Sequence, residues 1–355
     1  KAVFTSTDFT LGGWTFDMAG TWQFRAFFAG NESFLTAASP PYDEPESVRL
    51  TVKDKAGYAI IVLGKYNEAG EGQAEHCKTT DGVYRALRDR GLATEDIYYF
   101  RAPVMALPPD ITAADTTPTE AEIGAAITTW ARDKMRASSA PLYIVFVDHG
   151  SLSMFYVYAG VYGPTSYITP SEMDGWLDTL DTGLVGYPAA GMPRVFVYGG
   201  CHSGSFIPAL SKSGRVIVAS ALASQVSHRG VKDPFDDRRD GEAFTTEFFR
   251  NLKSGKSLRE SFALSSQKMS EYTANATNGW YSLLVQKPVY DDNGDGIGTT
   301  GNLSPLPGQD GAFGHTLELG YGVNAAGDAS WLGATPTVTL ESESPMVALQ
   351  AQSDK

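Results

Sequence analysis

Cysteine is nearly missing from this chain: two in 355 residues, Cys77 and Cys201. Two thiols cannot build a disulfide framework, and a working Cys201 thiol could not also be permanently bridged to Cys77. Long apolar runs are missing as well. The longest, "YAIIVLG" and "LYIVFV", are strand-sized and fall far short of the roughly 20 residues of a membrane span. No Lys/Arg run occurs and the net charge is −13, which argues against the basic face of a nucleic-acid binder. The chain opens at Lys1 without methionine or a signal-peptide pattern, which predicts a processed or trimmed piece of a longer modular chain. Little lysine, much Thr, Ser, Gly and Tyr, and the acidity suit an exported, extracellular or cell-surface protein of bacterial or archaeal type.

What is present is a globular composition, 42% hydrophobic and 19% charged, in a chain long enough for a large core. Residues 1–52 alternate apolar and polar side chains ("WTFDMAGTWQFRAFFAG", "SVRLTV") and read as a β-rich, Ig-like module or part of one. Residues 323–355 restart that alternation, as a β-rich tail or the start of a further module. Between them, residues 53–322 alternate strand and helix. "GYAIIVLG", "DIYYF", "PLYIVFVDHG", "RVFVYGGC" and "RVIVASA" read as strands. Helices follow at "AEHCKTTDGVYRALRDRG", at "TEAEIGAAITTWARDKM" with Thr119 and Glu122 as a capping box, and at "YITPSEMDGWLDTL" with Pro170 at its first position. The fold class that follows is α/β, a mostly parallel sheet with helices on both faces.

Ligands collect at the carboxyl ends of parallel strands. Two of the strands end in reactive side chains, His149-Gly150 after "IVFVD" and Cys201 after "VFVYGG". A thiol near pKa 8.5 is mostly protonated at neutral pH, so an adjacent imidazole is needed to draw off its proton. The predicted catalytic set is therefore Cys201 as nucleophile, His149 as base and then acid, and the N–H groups of Gly150 and Cys201 as oxyanion donors. Catalysis by this set needs no cofactor. Cys77 reads as core packing; zinc at His76 and Cys77 would lack a second ligand pair at suitable spacing. "DDNGDG" places Asp291, Asn293 and Asp295 as in the first half of a calcium loop, but Asn302 stands where its last glutamate belongs. It reads equally as a structural Ca2+ site or an Asn/Asp/Gly turn.

"YIVFVDHGS" followed by "VYGGCHSGSF" resembles the legumain-like (asparaginyl endopeptidase) family of caspase-fold cysteine peptidases, in its bacterial and archaeal branch. Cys201, Ser203, Gly204 and Ser205 match that family's nucleophile motif, and the resemblance spans roughly residues 53–290. The histidine preceding the cysteine by about 50 residues is also the caspase arrangement. The resemblance implies a caspase-like core and acyl transfer through a thioester, on a peptide or protein substrate. It also implies that the strand "VIVASA" offers its edge at Ser220 and Ala221 to an extended substrate.

Two positions depart from the family pattern. Gly199 stands where the family keeps an acid lining the pocket for the P1 side chain, and Glu71-Gly72 replace an Arg-His pair before Gln73. The loop 231–244 adds Asp233, Asp236, Asp237 and Asp240, of which Asp240 is taken as a substrate-binding candidate with Glu71, Gly199, Ser220 and Ala221. An acidic pocket without arginine favours a basic P1 residue, Arg or Lys. The alternatives are Asn-specific cleavage, a transpeptidase using the same dyad, and a catalytically silent peptide binder.

Overall fold

The computed structural model describes residues 55–323 apart from 67–70, 102–104, 114, 116–117, 161–162 and 275–284, together with backbone strands nearer the two ends. The chain divides into two compact units, Gly57–Gly320 and a second made of Lys1–Ala56 with Tyr321–Lys355. In the second unit the two ends of the chain share a single seven-stranded sheet. Ala348–Ser353 pairs antiparallel with both Ala2–Phe4 and Gly20–Phe28, and Ala329–Leu332 pairs parallel with Arg49–Lys53. The tail thus completes the sheet of the N-terminal segment, where the sequence suggested two separate pieces.

Unit Gly57–Gly320 is built on a seven-stranded sheet. Its strands are β1 (Tyr58–Leu63), β2 (Ile97–Arg101), β3 (Leu142–Val147), β4 (Arg194–Gly199), β5 (Arg215–Ala219), β6 (Val289–Asp291) and β7 (Thr299–Thr300). The spatial order is β7-β6-β5-β4-β3-β1-β2. The five strands from β2 to β5 run parallel, and β6 and β7 add an antiparallel edge. Strands β1, β3, β4 and β5 are buried along their whole length, because helices cover both of their faces and both sets of alternating side chains must be apolar. This is the α/β class expected from the sequence.

One face packs Tyr58, Ile60, Val62, Ile144, Phe146 and Phe196 against α2 (Glu120–Ala125), α3 (Arg132–Ala137) and α4 (Pro170–Gly183). A π-helical turn, Ala126–Ala131, joins α2 to α3. The other face carries α1 (Glu71–Asp89), α5 (Ala243–Lys253) and α6 (Leu258–Ala274). The capping box at Thr119 and Glu122 forms as the sequence indicated, and Thr169 with Glu172 makes a second one before Pro170. Such caps satisfy two otherwise orphaned backbone donors at each helix start. After β3 the chain makes a hairpin unread in the sequence, Met154–Gly160 against Gly163–Ile168, before entering α4.

The order of strands reverses between β1 and β3, the place where a doubly wound sheet opens a crevice at its carboxyl edge. His149 leaves the sheet there, at the end of β3, and Cys201 at the end of the adjacent β4.

Candidate active site

Strands β3 and β4 are hydrogen-bonded neighbours in strict register, from Leu142 opposite Arg194 to Val147 opposite Gly199. His149 and Cys201 each lie two residues beyond the last pair, at the same offset as every pair in the ladder. Their spacing in the sequence is therefore the register of the sheet, and it brings them to one level at its edge. The ladder continues one step further through Asp148 N–H to the Gly199 carbonyl (3.3 Å).

Gly150 has no room for a side chain: a Cβ there would fall 1.8 Å from the Tyr198 hydroxyl and 3.0 Å from the Cys201 carbonyl oxygen. Tyr156 N–H donates to the His149 carbonyl, so Gly150 occupies a non-hydrogen-bonded position opposite Phe155. Its N–H is not consumed by that ladder. The Cys201 thiol is partly buried and lies 3.8 Å from Ser227 Oγ. Burial pushes its pKa up, tempered by Ser227, and the nearby charge of Glu242 adds to the rise. His202 takes a left-handed conformation (φ 59°) and its Nδ1 bonds the Ala223 carbonyl oxygen at 2.8 Å. That ring holds the turn after the nucleophile and is committed to it.

Gln73 and His76 of α1 approach from the side of β1. Gln73 Nε2 donates to the Gly64 carbonyl (2.7 Å) and to Asp148 Oδ2 (3.2 Å). Asp148 Oδ1 accepts from the His149 N–H at 2.6 Å and lies 3.5 Å from His76 Nδ1. The His76 ring meets the His149 ring edge-on, with centroids 5.0 Å apart.

At Gly199 the structure supplies an acid that the sequence reading missed. A Cβ on Gly199 would lie 2.3 Å from Thr245 Oγ1 and 3.1 Å from Glu242 Oε2. Glu242 is the N-cap of α5, and its Oε2 accepts from Thr245 N–H at 2.6 Å. Its Oε1 is buried with no hydrogen-bond partner among the described residues. Burial raises this carboxyl to about 7, against the hydrogen bonds from Thr245. A carboxyl thus sits beside Gly199, delivered from a helix instead of the strand. The available signal was a Glu at a helix start where Ser, Thr, Asp or Asn is usual.

The other substrate-binding candidates separate. Asp240 is partly buried, and its electrostatic neighbours are Lys78, Arg250, Glu247 and Asp233. Asp233 and Asp236 pair with Lys78 (3.2 and 3.0 Å) and Asp237 with Lys232 (3.2 Å), so these loop acids have lysine partners. Glu71 is the first residue of α1; its side chain lies outside the described part. Ser220 and Ala221 correct an expectation. Both are fully buried, β5 is an inner strand flanked by β4 and β6, and their backbone groups are taken. Gln286 Nε2 donates to the Ser220 carbonyl (2.6 Å), Ser203 Oγ accepts from Ala221 N–H (3.1 Å), and Gly204 N–H donates to the Ala221 carbonyl (2.9 Å). No strand edge is open to a substrate at these two residues.

No family model and no curated protein matches the sequence. Among solved structures the chain is similar to caspase-1 from Spodoptera frugiperda, at 15% identity and a TM-score of 0.47 over 71% of this chain and 92% of that one. It is also similar to pro-sf-caspase-1, at 14% identity and a TM-score of 0.46 over 71% of this chain and 97% of that one. At these values the likeness carries no residue roles to this chain.

At the end of β6, Asp291 is fully buried; its Oδ1 accepts from Ser211 (2.7 Å), and its Oδ2 has no hydrogen-bond partner among the described residues. Burial pushes this carboxyl up to about 6. Asn293 Oδ1 accepts from Asp295 N–H (2.9 Å) and Asp295 Oδ1 from Ile297 N–H (2.7 Å), the turn chemistry of Asx residues.

Proposed function

We propose that this chain is a cysteine endopeptidase in which Cys201 attacks the scissile carbonyl and His149 moves the proton. The observation that supports this reading is the register of β3 and β4, in which the two residues follow the last pair at the same offset. Because burial raises the Cys201 thiol, the thiol is mostly protonated at neutral pH, and His149 must take its proton as the C–S bond forms. The carbonyl oxygen becomes an oxyanion facing the Gly150 and Cys201 N–H groups. Collapse breaks the C–N bond, and the imidazolium gives its proton to the leaving amine. Water then hydrolyses the thioester with His149 as base, which restores the thiol.

Glu242 supports a basic P1 side chain. Its Oε2 lies beside Gly199, two residues before the nucleophile, and its buried Oε1, which has no hydrogen-bond partner among the described residues, would be satisfied by a guanidinium or ammonium. Arg229, whose charge acts on His76, is already paired with Glu75 at 2.7 Å. The legumain-like assignment and a bacterial or archaeal secreted setting, within a longer modular chain, belong to the same proposal; they rest on the two motifs and on composition. The test is a fluorogenic peptide panel with thiol-directed labelling, comparing the full chain with its Cys201→Ala and His149→Ala variants. Turnover of Arg or Lys peptides that disappears in both variants supports the reading. Labelling that persists at full rate in His149→Ala, or turnover of Asn peptides alone, refutes the dyad or the specificity respectively.

We further propose Asp291, Asn293 and Asp295 as a structural Ca2+ site, supported by the buried, unpartnered Asp291 Oδ2, since Ca2+ is held by hard oxygen ligands. Asp291→Asn tests it by calcium-dependent thermal stability.

A further inference from the structure

Among the described residues one cluster of His, Cys, Asp or Glu side chains brings three ligand atoms within 4.8 Å of one another: His76, Asp148 and His149. We propose that these three form a binding site for a zinc-class divalent ion, and that an ion held there withdraws His149 from proton transfer. The first half stands on geometry alone; the second rests on the peptidase reading.

Two imidazoles and one carboxylate are a donor set suited to Zn2+ at an open, three-ligand site. Tetrahedral bonds of about 2.0 Å place neighbouring ligand atoms about 3.3 Å apart. His76 Nδ1 and Asp148 Oδ1 are already at 3.5 Å, and the His149 ligand nitrogen lies within 4.8 Å of both. His76 is 6% exposed, and its Nδ1 has no hydrogen-bond partner among the described residues. A buried polar atom left in that state costs free energy that a ligand would recover.

Asp148 is prepared in a similar way. Gln73 and the His149 N–H hold its two oxygens in place, and a carboxylate oxygen accepts more than one bond. The pair that His76 and Cys77 lacked in the sequence thus comes from the end of β3, not from α1. The ion would sit between α1 and the dyad histidine, beside the nucleophile and not on it. Cys201 is not a member of the group.

The full chain carrying Cys201→Ala separates metal binding from activity. Titration with Co2+, read by visible absorption, and with Zn2+, read by calorimetry, should give one ion per chain. Affinity should fall at least tenfold in His76→Asn and in His149→Ala, both made on the Cys201→Ala background. His149 is only partly buried, so its variant decides the matter if the buried His76→Asn protein does not fold. No binding, or unchanged affinity in a folded variant, overturns the site. In the intact chain, Zn2+ should lower peptide turnover reversibly, with a chelator restoring it, and His76→Asn should need at least tenfold more Zn2+ relative to its own metal-free rate. Binding without loss of turnover overturns the second half. An intact chain that turns over no peptide defeats the peptidase reading while the Co2+ spectrum still reports the site.

Discussion

Gly199 and Glu242 are complementary: the strand residue gives up its side chain, and the helix-capping residue puts a carboxyl beside the space, 3.1 Å from where a Cβ would stand. The acid beside the nucleophile therefore belongs to α5 and is buried, half-satisfied and poised to titrate near neutrality.

Glu242→Gln should lower kcat/KM for Arg and Lys peptides by about 10–100-fold, the range for losing a charge-assisted contact of about 1.5–3 kcal/mol. It should do less to an uncharged P1 residue. Because Glu242 raises the Cys201 pKa, the pH profile of thiol alkylation should move to lower pH in the variant. An alkylation profile unchanged by the substitution would detach Glu242 from the nucleophile.

The same carboxyl makes a stability prediction. Its pKa is raised from 4.5 unfolded to about 7 folded, so its contribution is fully present below pH 4.5 and is lost as pH rises through 7. Glu242→Gln should be more stable than the parent at pH 8, by on the order of 1–3 kcal/mol, with the difference shrinking toward pH 5. Denaturant melts across that window measure it.

Gly199→Ala should destabilise the fold by about 1–3 kcal/mol, since its methyl would press on Thr245 Oγ1 at 2.3 Å. Thr245→Ser keeps that oxygen and should rescue little, whereas Thr245→Ala should recover part of the loss. A double-mutant cycle with no coupling would show that the two residues do not touch.

Asp291→Asn should raise the thermal midpoint of calcium-free protein above pH 6, because it removes a buried carboxyl held up at about 6. The sign follows from the raised pKa: protonation favours the fold at low pH, and the cost appears as pH rises. The parent should gain stability from Ca2+ and the variant should gain none, as read by calorimetry with calcium or chelator.

Much of the architecture was legible because parallel strands buried on both faces must be apolar runs, and "YAIIVL" and "LYIVFV" can be little else. Helix starts were legible where caps are local, as at Thr119 and Thr169. Cys201 and His149 stood out because each ends such a run. Glu242 did not, because its relation to Gly199 passes through the packing of α5 on the sheet and leaves no local pattern. The expectation for Ser220 and Ala221 failed for a related reason. Val289–Asp291 returns from far along the chain to cover the edge of β5, and Gln286 arrives with it. The hairpin after β3 was missed because its Tyr-rich alternation lies between two louder signals.

The ladder between Leu142–Val147 and Arg194–Gly199 has a bearing on how this chain could vary. Backbone hydrogen bonds of the ladder, not the length of the intervening segment, fix the level at which His149 and Cys201 leave the two strands. Length changes within α4 would leave that ladder intact, whereas Tyr156 of the hairpin holds the His149 carbonyl and must stay. Deleting one residue inside β4 would turn the thiol to the opposite face. Interval length is thus free to drift in descendants of this chain, and strand phase is not.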